Sequence, residues 1–151
     1  MRYWILQSNP RKYRIFDYLK DYLSSPDTWQ VSLFKHEIKP GDIAFVWVAN
    51  ESGKHNRGIY AKAEIVAPPD EDRQPYEREM AYWIDKNEQR RLSRLPRLEL
   101  RYTKLLLGRP LLADNLRTTH GLERLLILRM PQRGIYKLSE DEGTTIESLI
   151  D

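Results

Sequence analysis

Four tryptophans are the side chains whose type points most directly to a binding chemistry. Trp4 and Trp47 lie in apolar runs of strand length, where packing into the core is the simplest interpretation. Trp29 stands outside any clear period, and Trp83 lies in a polar segment. Two indoles on loops can hold a planar base between them, with stacking worth about 1–3 kcal/mol per base, while a polar group such as Asn9 reads its edge. Closure of the core is an equally good interpretation of Trp29 and Trp83.

The residue pattern gives little support to catalysis. The three histidines are dispersed, and His36-Glu37 lacks the second histidine of a zinc-protease helix. There is no glycine-rich phosphate loop and no Gly-x-Ser-x-Gly elbow, and the absence of cysteine excludes thiolate metal ligands. We therefore expect no catalytic residues, no metal and no cofactor. A hydrolase with dispersed active-site residues remains the alternative.

Basic residues are concentrated in one stretch of the chain. The net charge is +3, but Lys86 to Arg109 holds eight basic residues against Glu88 and Glu99, a local net charge of +6. Such a stretch suits an anionic partner, nucleic acid first. A solvated arginine-rich face has the same composition, so both interpretations stay open.

Length and composition indicate one folded unit. With 151 residues, of which 40% are hydrophobic, the chain can build one core, so we expect a single domain over residues 1–151 with a variable excursion at about 68–96. No run of about 18 apolar residues is present, which argues against a membrane span. The lack of cysteine fits a cytoplasmic protein.

The stretch Ile38 to Val66 must position any binding residues, because it forms the expected centre of the fold. Pro40-Gly41-Asp42 is typical of a turn. Ile43 to Val48 is an unbroken apolar run that indicates a strand covered on both faces, and Ile59 to Ile65 alternates like a strand with one buried face. Together they predict a hairpin whose long connecting loop, Ala49 to Arg57, is a natural place for a binding site.

Shorter elements flank this hairpin. A strand is expected over Tyr3 to Gln7, followed by a helix over Arg11 to Leu23 that Asn9 would cap. Ser24 to Asp27 has the composition of a turn, and Pro68 to Asp72 that of a loop. The later chain predicts a partly helical or disordered segment over Arg73 to Leu95, a strand over Arg97 to Leu106, a short extended piece near Leu111, a turn at Pro131 to Gly134 and a last helix with Ser139 and Glu142 as its capping box. This order indicates an α+β fold, a small and mostly antiparallel barrel flanked by short helices.

Several motifs, taken together, resemble those of EVE domains. They are Tyr3-Trp4-Ile5-Leu6-Gln7-Ser8-Asn9-Pro10, Trp29-x-Val31, Ile38-Lys39-Pro40-Gly41-Asp42 with Phe45-x-Trp47, Gly58-Ile59-Tyr60-Ala61-x-Ala63-Glu64, Tyr82-Trp83, Arg97-Leu98-x-Leu100, Pro110-Leu111-Leu112 and Leu126-Ile127-Leu128-Arg129-x-Pro131-Gln132. No single motif is specific, but their order and spacing extend over nearly the whole chain. The resemblance implies a PUA-like β-barrel, similar to the YTH domains that read N6-methyladenine and to the DNA-recognition modules of modification-dependent restriction systems.

The resemblance also implies roles for individual residues. Trp29 resembles the cage tryptophan of the family, and Trp83 is the candidate for a second wall. Ser8 and Asn9 match the residues that contact the base edge in YTH-type domains. The remaining expected contacts are Gln30, Val31, Asn50 and Ser52 to the base, and Lys35, Lys54, Arg57 and Arg133 to phosphates.

The chain departs from the family pattern at two places. Ser32-Leu33-Phe34 stands where many EVE domains carry Asn-Arg-Tyr, so one presumed arginine contact is missing. Near the end, Pro131-Gln132-Arg133-Gly134 replaces the Pro-Gln-Gly-Thr that is frequent in related sequences. Arg133 is therefore a candidate to replace the lost contact.

These features predict a non-enzymatic module that flips a modified base, such as 5-methylcytosine, 5-hydroxymethylcytosine or N6-methyladenine, into an aromatic cage. The expected partner is DNA or RNA that carries such a base, and not a membrane. A nuclease or NTPase domain or subunit is a further candidate partner. Two alternatives stay open, a PUA-like nuclease and a domain that binds proteins or small ligands.

Overall fold

The computed structural model describes residues 1–22, 26–49 and 56–151, and within these ranges seven strands and six helices follow one another. The strands are β1 (Tyr3–Ser8), β2 (Pro26–Gln30), β3 (Ile43–Val48), β4 (Gly58–Asp70), β5 (Arg97–Leu105), β6 (Leu111–Leu112) and β7 (Ile135–Leu138). The helices are α1 (Ile15–Asp21), α2 (Glu77–Met80), α3 (Lys86–Leu92), α4 (Ala113–Arg117), α5 (Leu126–Arg129) and α6 (Glu140–Ile150). None of the helices in the described ranges combines the length and the hydropathy that a membrane span requires.

Strands β3 and β4 form the predicted hairpin at the centre of the sheet. The described strands lie in the order β2-β5-β4-β3-β1-β7, and β6 pairs with β4 beside this path. Only β1 and β3 are parallel among these pairs, so the expectation of a mixed α+β fold with a mostly antiparallel sheet is confirmed. The expected closed barrel is wrong for the described residues, because β2 pairs with β5, β7 pairs with β1, and these two end strands do not pair with each other.

Strand β3 is buried on both faces, as its continuous apolar run predicts. Its side chains alternate between two core layers, with Ala44, Val46 and Val48 in one and Phe45 and Trp47 in the other. Trp4 belongs to the first layer and is fully buried. The prediction that Trp4 and Trp47 pack in the core is therefore confirmed, and neither indole is available to a ligand.

One carboxylate holds the turn before β3. Asp42 accepts hydrogen bonds from the backbone nitrogens of Lys39 (2.9 Å) and Arg2 (3.0 Å). It also accepts from Nε1 of Trp4 at 3.0 Å. Gly41 supplies the positive φ of 93° that the turn needs, a conformation that glycine adopts without strain. The predicted turn is confirmed, and its carboxylate ties the start of β1 to the start of β3.

Helix α1 begins at Ile15 rather than at Arg11, and Asn9 is not its N-cap. The carbonyl of Asn9 accepts from the backbone nitrogens of Lys12 and Tyr13, both at 3.0 Å. Its side chain accepts from the backbone nitrogen of Arg11 at 3.0 Å. Because these bonds close a separate turn directly after β1, the helix starts only after that turn.

Strands β2 and β4 include part of a predicted turn and part of a predicted loop. Pro26 and Asp27 begin β2, where proline is tolerated as the first residue of a strand at the end of the sheet. Strand β4 runs through the predicted loop as far as Asp70. Register shifts against β5 leave Pro68 and Pro69 without a paired position, so their missing N–H groups do not interrupt the ladder.

The polar segment 73–95 is partly helical, as predicted, and folds back onto the chain before α1. The backbone nitrogen of Arg14 donates to the carbonyl of Tyr82 at 2.8 Å. The backbone nitrogen of Ile84 donates to the carbonyl of Lys12, also at 2.8 Å. These two bonds bring a segment far along the sequence against the turn that follows β1.

Candidate nucleic-acid interface

A cavity of about 630 Å³ lies where the end of β1, strand β2, the segment with α2 and α3, and the turn before β7 meet. Its volume falls within the range of about 300–1,000 Å³ that is usual for ligand pockets. The described residues that line it include six of the predicted contacts, namely Ser8, Asn9, Trp29, Gln30, Trp83 and Arg133. Residues from both ends and the middle of the chain thus share one concave surface.

The end of β1 builds a polar corner of the cavity. Ser8 is buried, and its carbonyl accepts from the backbone nitrogen of Ala49 at 2.9 Å, next to the end of β3. Asn9 is half-buried in the turn that follows. Gln7 fastens this corner to the turn before β7, because its Nε2 donates to the carbonyl of Arg133 at 2.6 Å. The corner therefore has a defined shape before any ligand arrives.

Trp83 and Tyr13 form an aromatic wall of the cavity. They pair as an isolated β-bridge, and their rings meet edge to face with centroids 4.8 Å apart. The hydroxyl of Tyr13 donates to the carbonyl of Glu79 at 3.0 Å. Burial, and then the charge of Glu79, raise the pKa of Tyr13, so this hydroxyl stays protonated. Trp83 is only half-buried.

Trp29 reaches the same cavity from strand β2. It lies in β2 opposite Leu98 of β5, and only 7% of its surface is exposed. Gln30, the next residue, also lines the cavity and is half-buried. Val31 is buried outside the lining, and its backbone nitrogen already donates to the carbonyl of Pro96 at 2.9 Å. The base contact predicted for Val31 stays a prediction.

Three buried polar side chains form the floor of the cavity. Oε1 of Glu79 accepts from the backbone nitrogen of Thr28 at 2.6 Å, and Oε2 accepts from Oγ1 of the same threonine at 2.7 Å. Oε2 also accepts from the backbone nitrogen of Tyr76 at 2.6 Å, which closes the capping box of α2. Nε of Arg97 donates to Oγ1 of Thr28 at 3.0 Å. The threonine therefore bridges a carboxylate and a guanidinium.

A second buried carboxylate, that of Asp27, lies beside this floor on β2. The Tyr18 hydroxyl donates to its Oδ1, and Nη2 of Arg78 lies 3.4 Å from the same oxygen. Its Oδ2 has no partner among the described residues. Burial raises the pKa of Asp27 to about 6, against the lowering effect of the hydrogen bond from Tyr18. A carboxyl group that can change its charge in mildly acidic solution thus lies behind the cavity.

The rim near α3 carries both signs of charge. Nζ of Lys12 lies 3.2 Å from Oε2 of Glu88, and Nε of Arg91 lies 2.7 Å from Oε1 of the same residue. The hydrogen bond from Arg91, with that from Lys12, lowers the pKa of Glu88 against the effect of burial. Arg133, at the turn before β7, also lines the cavity. Three cations against one carboxylate give this rim a positive balance.

Two predicted phosphate contacts lie outside the cavity lining, and three further predicted contacts are not among the described residues. Lys35 is exposed outside the lining, and its Nζ lies 3.0 Å from Oε1 of Glu71. Arg57 lies before β4, also outside the lining. Asn50, Ser52 and Lys54 fall outside the described residues. The roles predicted for these five residues stay predictions.

The basic stretch Lys86 to Arg109 does not form one exposed stripe. Arg97 is buried, Arg101 lies 3.6 Å from a carboxylate of β4, and Lys104 donates to a backbone carbonyl at the end of α6 at 2.9 Å. Arg91 and Arg97 line the cavity. Local net charge therefore overstates the basic surface that one partner can contact.

Sequence reasoning missed Tyr13, Glu79 and Arg97 as residues of the site. The spacing of Tyr13 placed it on the apolar face of a predicted helix, and Arg97 was one of many arginines in the basic stretch. Glu79 resembles any surface acid in a polar segment. These three residues line the cavity because segments far apart in the sequence pack against one another. A single sequence does not show which distant segments pack together.

Aromatic surface, a polar corner and buried donors together suit a planar polar ligand. The carboxylates at the cavity already accept hydrogen bonds or pair with cations. In the described part of the chain, no group of three or more His, Cys, Asp or Glu residues could hold a metal ion.

Solved structures share this fold at low sequence identity. A hypothetical protein from Leishmania major has a TM-score of 0.68 at 15% identity, over 99% of this chain and 94% of that chain. Human THYN1, in complex with DNA that contains 5-methylcytosine, has a TM-score of 0.67 at 16% identity, over 99% and 97%. The YTH domain of Zygosaccharomyces rouxii MRB1, in complex with N6-methyladenosine RNA, has a TM-score of 0.55 at 11% identity, over 98% and 85%. No curated protein matches the sequence.

The family assignment rests on the sequence over nearly its full length. The family model of the EVE domain matches residues 2–149, which include every strand and all but the last residue of the final helix. This chain therefore belongs to the EVE domain family.

Proposed function

We propose that this chain is a non-enzymatic module that binds DNA or RNA through a modified base, which it takes into the cavity. Family membership and the structural likeness to THYN1 with 5-methylcytosine DNA and to a YTH domain with N6-methyladenosine RNA support the proposal. These likenesses concern the fold, so the residues of the cavity must carry the argument for this chain.

The observation that carries the proposal is the meeting of three surfaces in one cavity. Trp83 and Trp29 supply aromatic surface, and Ser8 and Asn9 supply polar groups at one corner. Arg133 adds a cation at the rim. A base needs stacking partners for its faces and hydrogen-bond partners for its edge, while its phosphates need cations. Groups of all three kinds line one cavity, which supports the proposal.

In this proposal, the free energy of base extrusion is the sum of a few contributions. Unstacking a base costs a few kcal/mol, while stacking on an aromatic side chain returns about 1–3 kcal/mol. A methyl group placed in an apolar slot adds about 0.8 kcal/mol. Because the last term is small, edge contacts must contribute to discrimination between a modified base and its unmodified form.

Fluorescence anisotropy with matched oligonucleotides tests the proposal. DNA and RNA of one sequence would carry a single 5-methylcytosine, 5-hydroxymethylcytosine, N6-methyladenine or unmodified base. We expect at least one modified oligonucleotide to bind several-fold more tightly than its unmodified counterpart. Trp83→Ala should lower that affinity about tenfold, since it removes one stacking surface.

Ile84→Ala is the matched control. Ile84 is adjacent to Trp83, is 54% exposed and lies outside the cavity lining. Equal affinity for every oligonucleotide, unchanged in Trp83→Ala, would refute base insertion. Turnover of labelled nucleic acid that follows the protein through purification would refute a purely binding role.

A further inference from the structure

Arg97 is a buried cation that the basic stretch conceals. It begins β5 opposite Gln30 of β2, and only 5% of its surface is exposed. Its carbonyl accepts from Nη1 of Arg73 at 2.7 Å, which fixes the backbone at this position. The side chain lines the cavity, on the floor formed with Thr28 and Glu79. The family resemblance gave this arginine no role in contacting a ligand.

The guanidinium of Arg97 is only partly satisfied. Nε donates to Oγ1 of Thr28 at 3.0 Å. In residues 1–22, 26–49 and 56–151, no group accepts a hydrogen bond from Nη1 or Nη2. Arg97 lines the cavity, which is the space from which an acceptor can approach these two nitrogens. The terminal nitrogens of this buried cation can therefore donate hydrogen bonds to an acceptor on a ligand in the cavity.

The guanidinium of Arg97 is a cation that can only donate hydrogen bonds. Burial lowers its pKa, but the nearby carboxylate of Glu79 raises it. A guanidinium carries donors and no acceptor, and it stays protonated in proteins. Glu79 already accepts three hydrogen bonds, from Thr28 and Tyr76. The free hydrogen-bonding capacity of the floor is therefore dominated by donors.

We propose that Arg97 determines specificity by donating a hydrogen bond from its terminal nitrogens to an acceptor on the edge of the inserted base. This inference rests on the proposed function and narrows its ligand class to bases that turn a carbonyl oxygen or an unprotonated ring nitrogen toward the floor. A base edge with donors alone leaves the buried guanidinium unpaired, which costs affinity. Arg97 thus selects bases that have an acceptor on the edge facing the floor. Stacking on the aromatic wall does not depend on which groups that edge carries.

A double-mutant cycle between protein and ligand tests the contact. The probes are oligonucleotides with 5-methylcytosine, its 3-deaza analogue and its 2-thio analogue, whose sulfur is a weak acceptor. A second set contains N6-methyladenine and its 1-deaza, 3-deaza and 7-deaza analogues. Each probe is titrated into the wild type, Arg97→Gln and Arg97→Lys. We expect one acceptor deletion to lower wild-type affinity about tenfold and to have almost no effect in Arg97→Gln.

The coupling separates recognition from a structural role. The coupling compares the effect of an acceptor deletion on affinity in the wild type with its effect in the variant. A uniform loss of folded protein in a variant weakens binding of every probe by the same factor, so it cancels. Arg97→Lys keeps a cation if Arg97→Gln does not fold, and we expect it to retain part of the coupling. Arg94→Gln is the control, because Arg94 is exposed and outside the lining.

Two outcomes have different meanings. If each deletion costs the same in the wild type, Arg97→Gln and Arg97→Lys, the contact is refuted even when the wild type prefers a modified base. If the wild type shows no such preference, the proposed function itself fails.

Discussion

The hydroxyl of Tyr18 donates a hydrogen bond to Oδ1 of Asp27, and both side chains are almost completely buried. The pair joins α1 to β2 behind the cavity. Arg78 approaches the same oxygen, and the charge of Glu79 also acts on Asp27. Because Oδ2 lacks a partner among the described residues, ionised Asp27 is incompletely compensated. The stability of this region should therefore depend on pH.

Stability should fall as pH rises through the titration of Asp27. Its pKa is about 6 in the folded protein and about 3.9 in an unfolded chain. Between about pH 4 and 6 the folded state binds more protons, so the free energy of unfolding decreases by on the order of 3 kcal/mol across this window. Urea unfolding of the wild type and of Asp27→Asn at several pH values measures this decrease, because the variant has no carboxyl group at position 27 to titrate.

The test depends on the difference in the free energy of unfolding between the wild type and Asp27→Asn. Carboxylates with a lowered pKa, such as Glu88 and Glu147, contribute stability that is lost as pH falls, but they do so in both proteins. A difference that stays constant from about pH 4 to 7 would contradict the assignment of the raised pKa to Asp27.

The two cavity tryptophans should differ in their effect on stability. Trp29→Ala empties a site in the core and should lower the free energy of unfolding by about 3–5 kcal/mol. Trp83 is half-buried, so Trp83→Ala should cost no more than about half as much. Urea unfolding of both variants measures the difference. Equal losses would show that Trp83 is also a core residue.

Gly143 should not tolerate a side chain. A Cβ at this position of α6 would overlap the ring of Tyr3, which stacks on Phe45 and donates to Glu147. Gly143→Ala should therefore lower the free energy of unfolding by about 1–3 kcal/mol, although alanine favours helix by about 1 kcal/mol. Gly108→Ala is the control, because a Cβ there meets no atom within 4 Å. A stabilised Gly143→Ala would mean that α6 can shift.

Arg133 should contribute to the salt dependence of binding. If it contacts one phosphate, Arg133→Gln should weaken binding of every oligonucleotide and reduce the slope of log affinity against log salt by about 1. Arg94→Gln is the comparison, because Arg94 is exposed and lies outside the cavity lining. We expect its slope to match that of the wild type. If the slope of log affinity against log salt is identical for all three proteins, Arg133 does not contact a phosphate.

Local sequence patterns predicted the structure correctly where residues close together in the sequence make the contacts that stabilise it. The apolar run Ile43 to Val48 predicted a strand with two buried faces, and it has them. Ser139 and Glu142 form the expected capping box of α6, because both partners lie within one turn. Motif order also brought Trp29 and Asn9 into one predicted site, and both line the cavity.

Local patterns failed where a distant strand supplied the hydrogen bonds. Pro26 and Pro68 have the composition of turns, yet β5 draws both into strands through pairing and register shifts. The basic stretch failed in a similar way. Local charge cannot reveal that Arg97 is buried while Arg94 remains exposed.

The sequence by itself determined the family and the central hairpin, because each depends on residues close together or on motifs in a set order. Only the tertiary structure decided the floor of the cavity. Thr28 meets Glu79 across 51 positions of the chain and Arg97 across 69. A polar side chain must find a partner once packing removes its water, and packing between distant segments decides which side chains lose that water.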